Sequence, residues 1–403
     1  MEFKHGLFSA DSHAQLDRDA FTSRMSKAKF GDRIPHVIET SDPKMMSKAW
    51  DFPVHRWVVN GKVVDNRWPV NCPAMMGEGN RERGVQRWED VPKAAYDPIA
   101  RLKILDQDGV DGEVLYPNPP IQNATFFQGD AELELACVQA HNDALAEWRR
   151  ASDRYVPLAL IPYLNGVEAA VTEVKRARKT GHGGILMVVE PSLAIQGKHD
   201  WMGMAGAGGH QGLPHFCDRY WDPLWAACEG EQMPVHWHAN GGIMLRGPVW
   251  KGFSFAEEST SFLPGAFSLP TQFLPNLLFS GVLDRYPKLK WVWAEIGLGW
   301  IQYVLESCDH EWERRRLWTE GIVTRPSEQF SRQIYSMFWF ERAGIELRDQ
   351  FSTDNLMWQT DFPHSTSTYP GTWKHADHVV EEVPAAVRKK LLYENANKLY
   401  KLA

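Results

Sequence analysis

Short apolar runs alternate with longer segments of helical periodicity along most of this chain. GLFSADSH (6–13) predicts a strand that ends in polar residues. DPIARLKILDQDGV (97–110) predicts a helix closing at Gly109, and GEVLYP (112–117) the next strand. The alternation continues through a helix over 131–151, a strand over 155–163, a helix over 166–181 and a strand over 183–189. A helix over 221–231 leads to the strand PVHWHA (234–239), and a helix within 271–285 leads to LKWVWAE (289–295). After a helix over 300–318 come IYSMFWF (334–340), a short helix near 343–351, LMWQTD (356–361) and terminal helices over 384–402. Eight apolar strands separated by helices predict a single (β/α)8 TIM barrel over 1–403. A doubly wound open sheet is the competitor, but it would more often use fewer strands and a glycine-rich phosphate turn.

Two stretches break the rhythm. Residues 17–96, rich in Trp, Pro, Gly and charge, predict an insertion after the first strand, with a hairpin subdomain as one form, covering the barrel mouth. Residues 190–220 contain MGMAGAGGHQG and predict a mobile loop, since the glycine cluster lacks the GK[ST] ending of a phosphate-binding loop.

Composition narrows the class. A net charge of −7, from 44 basic and 51 acidic residues, lacks the basic surplus of a nucleic-acid binder. Five cysteines without CxxC spacing argue against a disulfide framework, and the start shows no secretory apolar core, so a cytoplasmic protein is expected. No run is long and apolar enough to span a membrane. Tryptophan is abundant, at 18 residues. Trp50, Trp57, Trp68 and Trp88 fall in the expected cover, which favours an aromatic, water-excluding pocket.

The chemistry sits at the strand ends, where a barrel of this kind places its active site. The first strand ends in Asp11-Ser12-His13, the fifth in His236-Trp237-His238, the sixth in Glu295 and the eighth in Asp361. Alternate residues share a face, so Asp11 pairs with His13 and His236 with His238, while Trp237 points to the helices. Trp293 shares parity with Glu295 and is expected to line the pocket one layer below it. An isolated DxH or a turn-capping Asp is weak evidence. Four strand ends with metal-type residues at one level point to a divalent cation, the least costly partner for buried carboxylates.

SADSH, GVDGEVLYP, WDPLWAACEGEQMPVHWH, LKWVWAEIGLGWIQYVLE, LMWQTDFPH and ENANKLYKL together resemble the amidohydrolase-related family of metal-dependent barrels. That family includes the aminocarboxymuconate-semialdehyde decarboxylase group. The resemblance implies Asp11, His13 and His238 as metal ligands and Asp361 as a ligand or general base. Two departures stand out: DxH replaces the HxH or ExH of many decarboxylases, and Glu295 replaces their sixth-strand acid/base histidine. The resulting surplus of acids could hold a second ion, with Glu295 bridging, His236 serving it and His310 as a further candidate; the rival for His236 is a partner that orients another ligand. His55, Arg56 and His364 are candidates for substrate contacts.

These readings lead to a metal-dependent hydrolase of a small aromatic or cyclic molecule, with zinc foremost and manganese or iron as other candidates, in one or two copies. Asp361 or Glu295 would be the base, with His236 as a further catalytic candidate. The alternatives are a nonoxidative decarboxylase of an aryl or enoic acid, a dinuclear iron or manganese oxygenase, and a barrel that only supports a catalytic partner. A homodimer, or a complex with a related barrel subunit, is the expected assembly.

Overall fold

The protein is described from a computed structural model over residues 1–42, 52–63, 69–77, 84–118, 120, 130–187, 213–238, 250, 252–254, 257, 260–261, 264 and 270–402. Eight parallel strands form one sheet in the order β1 (Phe8–Ala14), β5 (Gly112–Pro117), β6 (Tyr155–Leu160), β7 (Gly184–Met187), β8 (Val235–His238), β9 (Trp291–Ala294), β10 (Ile334–Phe338) and β11 (Leu356–Trp358). Each expected strand is present, and helices lie between them. The two ends of the sheet meet. Asp11 O accepts the N–H groups of Thr360 (3.3 Å) and Asp361 (3.0 Å), and His13 N–H donates to Phe362 O at 2.7 Å. These bonds close a TIM barrel and place the ends of its first and last strands side by side.

Among the described helices around the barrel, two escaped the sequence reading, Pro326–Gln333 and Thr372–Val380. The first begins at a proline, which suits a first helical turn but also marks turns, and the second follows Gly371. The expected mobile loop at 190–220 lies, up to residue 212, outside the described residues. No helix among the described residues is long and apolar enough to cross a membrane, and all five cysteines are free.

A buried ion pair locks the closure. Arg101, on the helix Pro98–Asp108, is fully buried and grips Glu113 of β5 through Nε at 2.9 Å and Nη2 at 3.0 Å. The same guanidinium donates to the carbonyls of Ala94, His13 and Phe362 and lies 4.1 Å over the Phe362 ring. One side chain thus ties β1, β5 and the turn after β11 together. Geometry of this kind is what a buried ion pair needs to offset its desolvation.

The segment 17–96 holds an antiparallel sheet of β2 (His36–Thr40), β3 (Val54–Val59) and β4 (Lys62–Val63). It touches the carboxyl end of the barrel, where Ala74 N–H donates to Pro363 O at 3.0 Å. Its described tryptophans do not form the anticipated aromatic pocket. Trp57 packs edge-on against Phe21 and Trp88, and its indole N–H is spent on Pro69 O; Trp50 and Trp68 lie outside the described residues.

The barrel tryptophans are likewise structural. Trp237 and Trp293 sit opposite each other in the β8–β9 register with rings 5.2 Å apart, and Trp237 also meets Phe273 of the helix Pro270–Phe279. This places Trp293 between barrel and helices, and the expectation that it lines the pocket is corrected.

Removing one partner of the Arg101–Glu113 pair leaves the other charge uncompensated. Arg101→Ala is expected to cost about 3–5 kcal/mol, read as a lower urea midpoint, whereas an unchanged midpoint would show that the clamp is not stabilising.

Candidate metal centre

The carboxyl ends of β1, β8, β9 and β11 bring their polar residues into one chamber. Between Ser9 and Ser12 the β1–β5 register slips, a bulge that re-aims the side chains beyond it. Asp11 is fully buried, with Oδ1 3.6 Å from His13 Nε2 and Oδ2 3.7 Å from His238 Nε2. His13 Nε2 also lies 3.3 Å from Asp361 Oδ1 and 3.1 Å from His238 Nε2. The Nδ1 atom of His13 faces Pro117 O at 3.2 Å, which orients the ring so that Nε2 points inward. His238 Nε2 is in turn 3.5 Å from Glu295 Oε2.

Glu295 arrives by an unexpected route. Alternation along β9 would send it outward with Trp293. The strand ends at Ala294, however, and Glu295 takes a left-handed backbone with φ 57°. Gln359 Oε1 accepts its N–H at 2.9 Å. Two residues on, Gly297 also has positive φ, and a Cβ there would sit 3.1 Å from Glu341 Oε1. The Glu341 carboxylate accepts N–H groups from Leu298, Trp339 and Phe340, clipping the turn after β9 to the turn after β10. Burial raises Glu341 to about 7. Asp361 is left-handed as well, with φ 52°.

Burial, and after it the Asp361 charge, holds Asp11 well above the usual carboxylate range. Burial also raises Glu295, reinforced by Asp361 and Asp11. Burial would raise Asp361 too, but its contacts with His364 and His13 more than offset this and hold it low. Burial and the neighbouring His364 bring His13 down to about 4, and burial and His13 lower His238.

The ligand set fits a cation. Both oxygens of Asp11 are buried without a hydrogen-bond partner among the described residues, an arrangement costly for an anion unless a positive charge joins it. Asp11, His13, His238 and Asp361 each offer an atom within 4.8 Å of the others. Glu295, Asp361 and His364 form a second, overlapping group by the same measure. Mixed imidazole and carboxylate donors suit zinc, manganese or iron.

Not every candidate joins them. His236 lies inside the barrel but a layer below His238: its Nε2 pairs with the Tyr400 hydroxyl at 2.8 Å, and its Nδ1 faces the carbonyls of Ile185 and Pro234. Gly184 makes room for that ring, since a Cβ there would lie 2.3 Å from it. The catalytic and second-ion readings of His236 are corrected; burial keeps it neutral, at about 3.

His310 is exposed on the helix Ile301–Arg315 and belongs to neither ligand group, so it too is corrected. His55 and Arg56 make their described polar contacts within the insertion, to Trp88 N–H and to the Gln86 side chain. His55 lines a cleft of about 230 Å³ with Arg18 and His36, apart from the carboxylate chamber. His364 does reach the chamber. It stacks on His13 at 3.7 Å, pairs through Nδ1 with Asp361 Oδ1 at 2.9 Å, and meets Asn118 Oδ1 through Nε2, also at 2.9 Å.

Asn118, Gln359, Glu341 and Thr366, which donates to Asp361 Oδ2, were not anticipated. Position immediately past β5 was a usable signal for Asn118. Gln359 shares parity with Asp361, a usable signal there too. Glu341 and Thr366 act from turns that carry no periodicity.

A chamber of imidazoles and carboxylates at the carboxyl ends of eight parallel strands defines a metal-dependent barrel enzyme. The chain belongs to the amidohydrolase family, whose sequence model matches residues 50–402. It is 24% identical over 328 residues to the gamma-resorcylate decarboxylase of Polaromonas sp. (strain JS666 / ATCC BAA-500), covering 75% of this chain and 86% of that one. Among solved structures, an amidohydrolase from Mycobacterium avium subsp. paratuberculosis K-10 superposes with a TM-score of 0.74 at 19% identity, covering 100% of this chain and 99% of that one. A dihydroxybenzoic acid decarboxylase from Polaromonas sp. JS666, with bound manganese and the inhibitor 2-nitroresorcinol, matches with a TM-score of 0.55 at 20% identity, over 78% of this chain and 89% of that one.

Two outcomes are expected. Asp11→Asn should weaken metal binding at least about tenfold; elemental analysis checks this, and an unchanged metal content would refute the assignment. A carboxyl raised in the folded state contributes stability at low pH that is lost as pH rises through its folded pKa. The metal-free protein should therefore lose the contributions of Asp11 and Glu295 as pH climbs above the ordinary carboxylate range, and the stabilisation conferred by a divalent ion should grow with pH. Calorimetry in buffers of different ionisation enthalpy should show proton release on metal binding, because His13 and His238 are lowered while Asp11 is raised and must give up its proton.

Proposed function

We propose that this protein is a metal-dependent nonoxidative decarboxylase of a small aromatic acid. The observation that carries the reading is the decarboxylase relative, matched over most of both chains, beside a chamber that gathers imidazole and carboxylate donors. The hydrolase expected from the acid-rich strand ends gives way to its alternative, because the acids alone do not distinguish an attacking water from a departing carboxylate.

Asp11, His13, His238 and Asp361 would hold the ion. Bound there, it would supply positive charge that holds and polarises the substrate's carboxylate. His364 orients Asp361, and Asn118 fixes the His364 ring from the other side. Glu295 supplies the proton. Its carboxyl stands beside His238, at the position where the sequence departs from an acid/base histidine. The proton passes from Glu295 to the ring carbon bearing the carboxylate, the carbon–carbon bond breaks, carbon dioxide leaves, and water reprotonates Glu295. The turn locked by Gln359 and Glu341 keeps that carboxyl in reach.

The test is incubation of metal-loaded protein in D2O with dihydroxybenzoates and related hydroxyaryl acids. Carbon dioxide release with one deuterium on the former carboxyl-bearing carbon is expected. Glu295→Gln should lower kcat by roughly 10²–10⁴-fold while the ion stays bound. Turnover of amides or lactones without carbon dioxide from any aryl acid would instead restore the hydrolase reading.

A further inference from the structure

The amino-terminal end of the barrel carries a second concave feature. A cavity of about 220 Å³ opens where β8 and β9 begin, against the terminal helix Asn395–Tyr400. Pro234 on its wall lies four residues before His238, roughly 13 Å along an extended strand. The cavity is therefore separate from the carboxylate chamber.

Its lining is cationic in an acidic protein. Lys288, Lys290, Lys398 and Lys401 line it, with Glu229 as the one carboxylate. Among the described residues none of the four ammonium groups forms an ion pair; Lys290 Nζ donates to Arg332 O at 2.6 Å and Lys401 Nζ to the Gln232 side chain. Glu229 is engaged by the backbone N–H of Lys288 at 2.8 Å. Burial, then the charges of Lys398 and Arg332, lowers Lys290, so the like charges crowd one another. Nearby Lys390 pairs with Asp354, whose charge also reaches Lys398. Four ammonium groups around one cleft, with a single carboxylate, favour an anionic occupant. Buried Met233 and Leu289 add an apolar wall. The volume, equal to roughly seven waters, suits a small molecule and is too tight for a protein segment.

We propose that this cleft binds a small phosphate-bearing organic molecule, its phosphate held by Lys288, Lys290 and Lys398 and its apolar part against Met233 and Leu289. Several ammonium point charges suit a phosphate, which offers oxygens in several directions. The helix carrying Lys398 also bears Tyr400, whose hydroxyl meets His236 inside the barrel, so an occupant would rest against the helix that plugs the barrel floor.

Calorimetry of the metal-loaded full-length protein with phenyl phosphate tests this, and it does not depend on the decarboxylase reading. Saturable binding is expected, weakened at least tenfold by Lys288→Glu with Lys398→Glu and also by Lys290→Gln, with metal content and aryl-acid turnover unchanged. The two glutamate replacements fall at exposed positions, so folding is expected to survive them. Absence of binding to the wild-type protein would overturn the proposal. So would binding that persists undiminished in the lysine variants, since that would place the phosphate at the metal centre.

Discussion

Three carboxylates share one buried chamber, faced by the imidazoles of His13, His238 and His364 and by the Thr366 hydroxyl. Like charges at such separations cannot all be stable without a cation, which is why burial and mutual repulsion lift Asp11 and Glu295 while the histidines hold Asp361 low. The protein concentrates acceptors where an apolar core would be more stable. That cost is acceptable only if an ion with two or more positive charges joins the cluster, and the binding energy then becomes part of the stability of the fold.

The scaffold is arranged around keeping those groups together. Arg101 ties the first strand, the second barrel strand and the last turn at the seam, so Asp11, His13 and Asp361 move as one unit. On the other side, Gln359 and Glu341 hold Glu295 in a backbone conformation that a glutamate rarely adopts. The strain is local and the compensation is distributed over neighbouring turns. The tryptophan surplus serves this rigidity: Trp225, Trp237, Trp291 and Trp293 form a ring-to-ring layer behind β8 and β9.

The difference between hydrolysis and decarboxylation is small in structural terms. Both need an ion and a titratable group beside it; one accepts a proton from water and the other donates a proton to carbon. Glu295 in place of a histidine argued against decarboxylation while only residue types were in view. Its position beside His238 removes much of that objection, because burial, with Asp361 and Asp11 beside it, makes that carboxyl keep its proton to higher pH than an ordinary glutamate.

Much of this was legible from the chain. Apolar alternation sufficed for all eight strands, because a buried parallel strand must be apolar on both faces. Parity sufficed to put Asp11 with His13 and His236 with His238 on shared faces. Depth and direction were not legible. His236 and His238 share a face but lie in different layers of the barrel, and only the Tyr400 hydroxyl beneath shows which ring faces the carboxylate cluster. Trp293 and Glu295 share parity yet part company, because a left-handed residue after Ala294 turns the chain. A linear pattern records which face a side chain takes while the strand lasts. Where the strand ends, backbone torsions and partners distant in sequence decide, and this centre is built at those ends.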